Sequence, residues 1–291
     1  MRVLVIGDTH IDDPYLDELR DIFEEIMSYD ADHVIHLGDY YNHHKPSPQS
    51  LTFGTEIAKK ILDKYKSFTL LAGNGRHNWL NGHSVIQYLS SLGVECVGME
   101  LKRDIDGLNC FFGHYMTNES CKAYGSHDYT VSDLKQYDLV LLGHQHLCQD
   151  ITPKIFHLGS VFYQSFAEVG DSHKRIAIIE NRKWRFIPLK SPIPMIDVID
   201  PTKLSDINPR TKVRLLISDF ETFKRQVNDL NRWKEKFAEF KYELRYQKTS
   251  AQAHQSTESW GQKQLSIIDE INKQVKQKEV RELLIAQFKD T

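Results

Sequence analysis

Asp, Asn and His recur through the first half of this chain at the ends of short apolar runs. Val3–Gly7 leads to Asp8 and, two residues on, His10. Val34–Gly38 leads to Asp39, Thr69–Gly73 to Asn74, Cys110–Gly113 to His114, and Leu139–Gly143 to His144 and His146. Residues i and i+2 of an extended segment face the same way, so Asp8 with His10, and His144 with His146, can each aim two donors at one pocket. The set holds seven nitrogen or oxygen donors and no thiolate. Mixed imidazole and carboxylate ligation favours Mn, Fe or Zn over Mg or Ca. Seven donors exceed what one ion takes, but with one carboxylate bridging they suit two. Two ions roughly 3.5–4 Å apart activate water and neutralise the charge that develops on phosphate oxygens. The residue types therefore point to metal-dependent cleavage of a phosphate ester. Any one of these residues alone is more often structural; it is the fivefold recurrence that carries the reading.

The elements that must position these donors follow from the spacing. Each apolar run has the profile of a buried strand. Between the first runs, Tyr15 to Tyr29 and about Ser50 to Tyr65 carry helical apolar stripes, Leu16, Leu19, Phe23 and Ile26 forming the first. Strand and helix alternate as in a layered α/β domain, where ligands sit outside the carboxyl ends of strands. From Leu101 the strands shorten and helices become few. Asp106-Gly107 and Asn181-Arg182 have turn chemistry, and Ile155–Gly159, Arg175–Glu180 and Trp184–Leu189 are further strands of a second, more antiparallel sheet packed on the first. Pro188, Pro192, Pro194, Pro201 and Pro209 mark a connection. Lys212–Ser218 and Tyr242–Gln247 are strands flanking one helix, with Phe220, Phe223, Val227, Leu230, Trp233, Phe237 and Phe240 on one core-forming stripe. Thr249 to Gln262 is rich in Ser, Thr and Gln and has the composition of a linker. Gln264 to Phe288 is a final helix whose apolar stripe must be covered, by its own domain or by a partner.

Composition bounds the class. The chain has 291 residues, 40% hydrophobic and 26% charged, as in ordinary globular proteins. No run approaches a membrane span, and no signal peptide opens the sequence, so a cytoplasmic location is expected. Four scattered cysteines form no CxxC pair, which argues against a disulfide framework or zinc finger. Residues 200–291 carry 18 Lys+Arg against 14 Asp+Glu, whereas residues 1–199 carry 19 against 26. Acid around the donor cluster suits a cation, and the more basic tail could approach an anionic polymer.

The motifs GDTH at 7–10, GDYYN at 38–42, GN at 73–74, GH at 113–114 and GHQH at 143–146 resemble the signature of calcineurin-like metallophosphoesterases over roughly residues 1–190. Gly159-Ser160, Gln164–Glu168 and Lys174-Arg175 are similar to the segment after GHxH in SbcD-type DNA-repair nucleases and phage recombination endonuclease subunits. The unit at 212–247 resembles their capping domain. The resemblance implies an α/β fold, a layered α/β/β/α metallophosphoesterase sandwich with a small βαβ capping domain and a C-terminal partner-binding helix. The implied divisions are 1–195 for the nuclease domain, 196–248 for the capping DNA-binding domain, 249–262 for a linker and 263–291 for the helical segment. It implies two Mn2+ ions, with Mg2+, Fe2+ or Zn2+ as alternatives. One ion would take Asp8, His10, Asp39 and His146, and the other Asp39, Asn74, His114 and His144. The partners implied are DNA, an SMC-like ATPase of the SbcC type and a second copy of the chain.

One departure stands out. The family usually reads GNHD, whose His assists the leaving oxygen, but here Gly75 follows Asn74 in Gly73-Asn74-Gly75-Arg76-His77-Asn78. His77 is the candidate for that role, reaching back from a longer loop. Asn42 stands where relatives often carry His, beside His43 and His44, so Asn42 and His43 are further catalytic candidates. Arg76, His44 and Lys45 are candidate contacts to DNA phosphates. Two rival readings stay open: a stand-alone phosphoesterase for nucleotides or phosphoproteins, and a catalytically weak scaffold that binds DNA ends for the ATPase.

Overall fold

The structure is a computed structural model and describes residues 1–80, 82–120, 128–171, 173–217 and 229–244. In chain order its strands are β1 (Arg2–Ile6), β2 (His33–His36), β3 (Ser67–Leu71), β4 (Trp79–Leu80), β5 (His83–Ser84), β6 (Glu95–Val97), β7 (Glu100–Ile105) and β8 (Leu108–Gly113). They continue as β9 (Leu139–Leu142), β10 (Gln149–Thr152), β11 (Ile155–His157), β12 (Arg175–Glu180), β13 (Lys183–Pro188), β14 (Met195–Val198), β15 (Lys212–Ile217) and β16 (Glu239–Leu244). The α-helices are α1 (Leu16–Met27), α2 (Pro48–Lys64), the single turn α3 (Gly75–Asn78) and α4 (Leu230–Lys236). Pro48 at the start of α2 and the Ser47 side chain accepting from Ser50 N fix that helix's beginning.

Six strands form one sheet in the order β13-β12-β1-β2-β3-β6, and five form another in the order β10-β11-β9-β8-β7. β1, β2 and β3 are mutually parallel, as are β8 and β9, so within each sheet their carboxyl ends share one edge. Alternate residues of each strand serve opposite faces. Val3 and Val5 of β1 join Leu139 and Leu141 of β9 in the core between the sheets. Leu4 and Ile6 face the other way, against Leu19, Phe23 and Ile26 of α1 and Phe53 and Ile57 of α2. On the outer face of the second sheet, Val140 and Leu142 meet Phe111, Leu134 and Tyr137. Strands buried on both faces have no polar alternation, which is why the runs are continuously apolar. The mixed α/β, multi-sheet fold class expected from the sequence is the one observed.

Three details differ from the expectations. β12 and β13 do not belong to the second sheet: β12 pairs antiparallel with β1, Val3 opposite Ile179, and completes the first. The chain between Pro192 and Pro209 is more than a connection, because β14 pairs parallel with β15 and a 3₁₀ turn spans Pro201–Asp206. The helix ends at Lys236: Phe237 is extended and Phe240 lies in β16, the third strand of a β14-β15-β16 sheet. A stripe at spacings of 3 and 4 does not by itself mark where its helix stops, so pairing to β15 decides. Residues 218–228, the linker at 249–262 and the expected final helix lie outside the described residues.

Carboxylates of α1 tie the segment before β15 to the main sheets. Glu25 accepts from Lys190 N and Ser191 N at 2.9 and 2.7 Å. Glu18 accepts from Ile193 N at 2.9 Å and pairs with Lys212 at 2.8 Å.

Candidate metal centre

The five strand-end motifs converge. Asp8, Asp39 and Asn74 leave β1, β2 and β3, and His114 and His144 leave β8 and β9. Their turns are tight enough that His10, Asp39 and His144 take φ values of 39°, 47° and 74°. Left-handed backbone in non-glycine residues costs roughly 1–3 kcal/mol each and gathers where function holds it in place. The preceding glycines have a packing reason. A Cβ on Gly73 would fall 1.7 Å from Asp39 Oδ1, and one on Gly143 2.5 Å from Asp8 Oδ1. A side chain at either position would occupy the donor cluster itself.

Asp39 is the hub. Its Oδ1 accepts from Asn74 N at 3.0 Å and Asn78 Nδ2 at 2.7 Å, and its Oδ2 from Asn74 Nδ2 at 3.0 Å. His114 Nε2 stands 3.2 Å and His10 Nε2 3.7 Å from Oδ2. His114 Nδ1 donates to Leu37 O at 2.9 Å, which turns Nε2 toward Asp39. On the other side, Asp8 Oδ2 accepts from His144 N at 2.9 Å. Three sets of donors lie within 4.8 Å of one another: Asp8, His10 and His146; His10, Asp39 and His77; and Asp39, His114 and His144. His10 and Asp39 each belong to two of these sets, so they form one continuous row. Asp8 Oδ1, both ring nitrogens of His10 and Nε2 of His114 are buried without a hydrogen bond. Buried polar atoms normally have partners, and a cation is the partner that this donor chemistry fits.

The electrostatics agree with a cation site. Burial pushes the Asp8 carboxyl up to about 7, with the Asp39 charge adding to the rise. Burial opposes ionisation of Asp39 too, but His114 and His10 outweigh it and hold Asp39 well below the usual carboxylate range. For His114, burial is overcome by Asp39 and Asp8, which raise it to about 9. Burial lowers His10 far below its ordinary value and His144 to about 4, so both present lone pairs at neutral pH. Divalent ions taking Asp8 in one donor set and His114 in another must displace a proton from His114 below about pH 9 and one from Asp8 below about pH 7. Affinity should therefore rise with pH, by about tenfold per unit for each proton displaced. Calorimetry at pH 6 and pH 8, in buffers of different ionisation enthalpy, measures both the affinity and the protons released; affinity independent of pH would refute this.

All seven expected donors come together. His77 joins them: Asn74 O accepts from both His77 N and Asn78 N, and the His77 ring packs edge-on against His10 with centroids 4.7 Å apart. No special conformation at Gly75 is needed, because a helical turn puts residues i, i+3 and i+4 on one face. His77 Nδ1 donates to Asn42 O, which leaves Nε2 for the cluster. The Asn42 side chain instead donates to Asp12 at 2.8 Å, and the exposed His43 lies 3.5 Å from that carboxylate. His44 is half-buried and Lys45 exposed in the same loop; the Arg76 side chain is outside the described set. Asn78, the second amide on Asp39, went unread in the sequence, although its i+4 spacing from Asn74 marks it once the turn is seen. Buried Glu168 and Lys174 beside His146 were marked in the sequence only by the likeness of Gln164–Glu168 and Lys174-Arg175 to the segment after GHxH, which gave them no role.

Among solved structures the chain is similar to an archaeal phosphodiesterase, at 17% identity and a TM-score of 0.39 over 65% of this chain and 100% of the other. It is similar to the phosphoesterase Yfce from E. coli at 15% and 0.37, covering 65% and 100%. It is also similar to the nuclease MPE from Pseudomonas putida at 17% and 0.33, covering 64% and 87%. No curated protein matches it. Among the described residues no helix is long and apolar enough to cross a membrane. Residues 1–148, which carry every one of the clustered donors, match the model of one protein family, and the chain belongs to it: the calcineurin-like phosphoesterases.

Proposed function

We propose that this chain is the Mn2+-dependent nuclease subunit of an SbcCD-like recombination and repair complex, hydrolysing DNA phosphodiester bonds at two ions. The observation that supports it most is the row of donor sets sharing His10 and Asp39, which suits a pair of ions better than a single one. The proposed ligands are Asp8, His10, Asp39 and His146 for one ion, and Asp39, Asn74, His114 and His144 for the other. Bound ions supply an activated water and neutralise phosphate charge. The chain's own groups do the rest. Asn74 and Asn78 orient Asp39, and Leu37 O orients His114. His77, positioned through Nδ1 by Asn42 O, offers Nε2 to the leaving sugar oxygen, which takes a proton as its bond to phosphorus breaks. Asn42 and His43 stand by Asp12, where they order that loop. His44, Lys45 and Arg76 are proposed to meet phosphates of the strand.

A polymeric nucleic-acid substrate also draws support from β4. Trp79 follows Asn78 directly, its Nε1 donates to Gly73 O at 3.0 Å, and it and Leu80 are each 37% exposed. An exposed aromatic face pinned to the ligand-bearing turn at Gly73–Asn78 suits base stacking, worth about 1–3 kcal/mol per base. The more basic segment 200–291 is proposed to approach DNA and the ATPase, with residues 263–291 as the ATPase-binding helix and two copies of the chain in the complex. The scaffold reading loses its main support, since His77 stands in the cluster despite the altered GNHD motif.

The test is incubation with end-labelled duplex and single-stranded DNA in Mn2+ or Mg2+, with and without an SMC-like ATPase. Cleavage is expected in Mn2+ and is lost in excess chelator. Trp79→Ala should lower kcat/KM on DNA about tenfold or more and spare bis-nitrophenyl phosphate. Truncation at about Thr249 should abolish co-purification with the ATPase and leave metal binding intact. Turnover of small esters with no cleavage of any DNA would overturn the proposal in favour of a stand-alone phosphoesterase.

A further inference from the structure

Lys174 carries its ammonium into the interior, its side chain wholly buried. Nζ donates to Glu168 Oε2 at 2.6 Å, His146 O at 2.9 Å, and Ser160 Oγ and Asp171 Oδ2 at 3.2 Å each. It also lies 4.7 Å over the Tyr163 ring. Glu168 is as deeply placed, 2% exposed. Its Oε1 accepts from Gln164 N at 3.1 Å and Ser165 N at 3.0 Å, and its Oε2 from Ser160 Oγ at 3.1 Å.

The two charges meet at His146. Its carbonyl accepts from Lys174 Nζ and, at 3.0 Å, from Ser160 N. Its ring Nδ1 stands 3.6 Å from Glu168 Oε1. The residue is thus held at its backbone by a cation and faced at its ring by the carboxylate that pairs with that cation. Stability alone does not account for this arrangement, because a buried ion pair is often no better for folding than apolar side chains of the same size. A ligand histidine whose far nitrogen faces a carboxylate, however, is fixed in ring orientation and made a better donor at its other nitrogen. Here that other nitrogen is Nε2, on the ring that packs 4.8 Å from the ring of His10.

We infer that Glu168 and Lys174 are positioning residues for His146, setting the strength of one ion site, that of Asp8, His10 and His146, and leaving the other alone. The inference rests on the two-ion reading above. A merely structural ion pair closing residues 160–174 onto β12 would act on folding and not on one ion in particular.

The experiment is calorimetric titration of the full chain with Mn2+, alongside its thermal melting. In the parent, two binding events are expected. Glu168→Gln removes the charge facing His146, and Glu168→Asp keeps the pair with Lys174 while drawing the carboxylate back from the ring. Each should weaken one binding event about 10–100-fold, with the other held within about twofold and a cooperative melting transition retained. Should Glu168→Gln fail to fold, Glu168→Asp decides alone. A folded variant that binds both ions as the parent does, or that loses both equally, overturns the inference. A parent that binds fewer than two ions overturns the two-ion reading and the inference with it.

Discussion

Replacing Asp39 with alanine is expected to abolish binding of two ions and to reduce phosphodiester hydrolysis by roughly 10³-fold. That factor corresponds to the several kcal/mol of charge stabilisation that bound metal supplies. The size of the effect follows from Asp39's place as hub. Asn74 and Asn78 hold its two oxygens, and His10 and His114 face them. Its backbone oxygen also accepts from His10 N at 2.9 Å, so the same residue shapes the turn that carries the next donor. Asp39→Asn keeps the volume and should retain the fold while losing the bridging charge. His10→Ala should weaken mainly one ion, because His114 and His144 remain grouped with Asp39. Metal titration and hydrolysis of a nitrophenyl ester measure the two effects. An Asp39→Ala protein that still binds two ions would remove Asp39 from the centre.

His77→Ala is expected to cut turnover on DNA by at least tenfold, since a positioned general acid is typically worth about 10²–10⁴-fold. The leaving group of a phosphodiester in DNA is a sugar alkoxide, a strong base that gains from a donor as the bond breaks. A nitrophenolate leaves without such help, so the nitrophenyl ester should lose far less rate. His77 also lies among donors with His10 and Asp39, which makes metal ligation the competing role. Stoichiometry separates the two: a general acid leaves the number of bound Mn2+ ions unchanged, and a ligand does not. The hydrogen bond from Nδ1 to Asn42 O supplies a further check. It uses the backbone of residue 42, so Asn42→Ala should leave His77 in place and cost less than His77→Ala. Equal rates for His77→Ala and the parent on DNA would sink this role.

The donors were legible in the sequence because each sits after an apolar run and a glycine, and both signals are local. A strand buried on both faces is a run of apolar residues whatever it pairs with, and the close approach behind Gly73 and Gly143 admits no side chain. The turns at Asp106-Gly107 and Asn181-Arg182 were legible for the same kind of reason. Asp106, Gly107 and Asn181 are residue types that tolerate the φ values of 54°, 82° and 52° found there, and Arg182 follows Asn181 into the same region at 59°.

Pairing was not legible. Arg175–Glu180 has the composition of a strand for either sheet, and only the open edge of β1 places it in the first. Phe240 continues a helical stripe by spacing alone, yet β15 takes its segment as a strand. The return of His77 was expected from a flexible glycine and comes instead from one helical turn, a three- and four-residue geometry that a loop-like composition hides. Lys174 was marked in the sequence by family likeness alone, with nothing to say that it is buried; its burial depends on Glu168 and Asp171 arriving from a turn in front of it, at 2.6 and 3.2 Å. The sequence by itself determined which residues could ligate metal and that strands would carry them, since side-chain chemistry and alternation act over a few residues. Which strands would be neighbours, and which charges could be held without water, was decided only by the tertiary structure, because both depend on contacts between segments far apart in the chain.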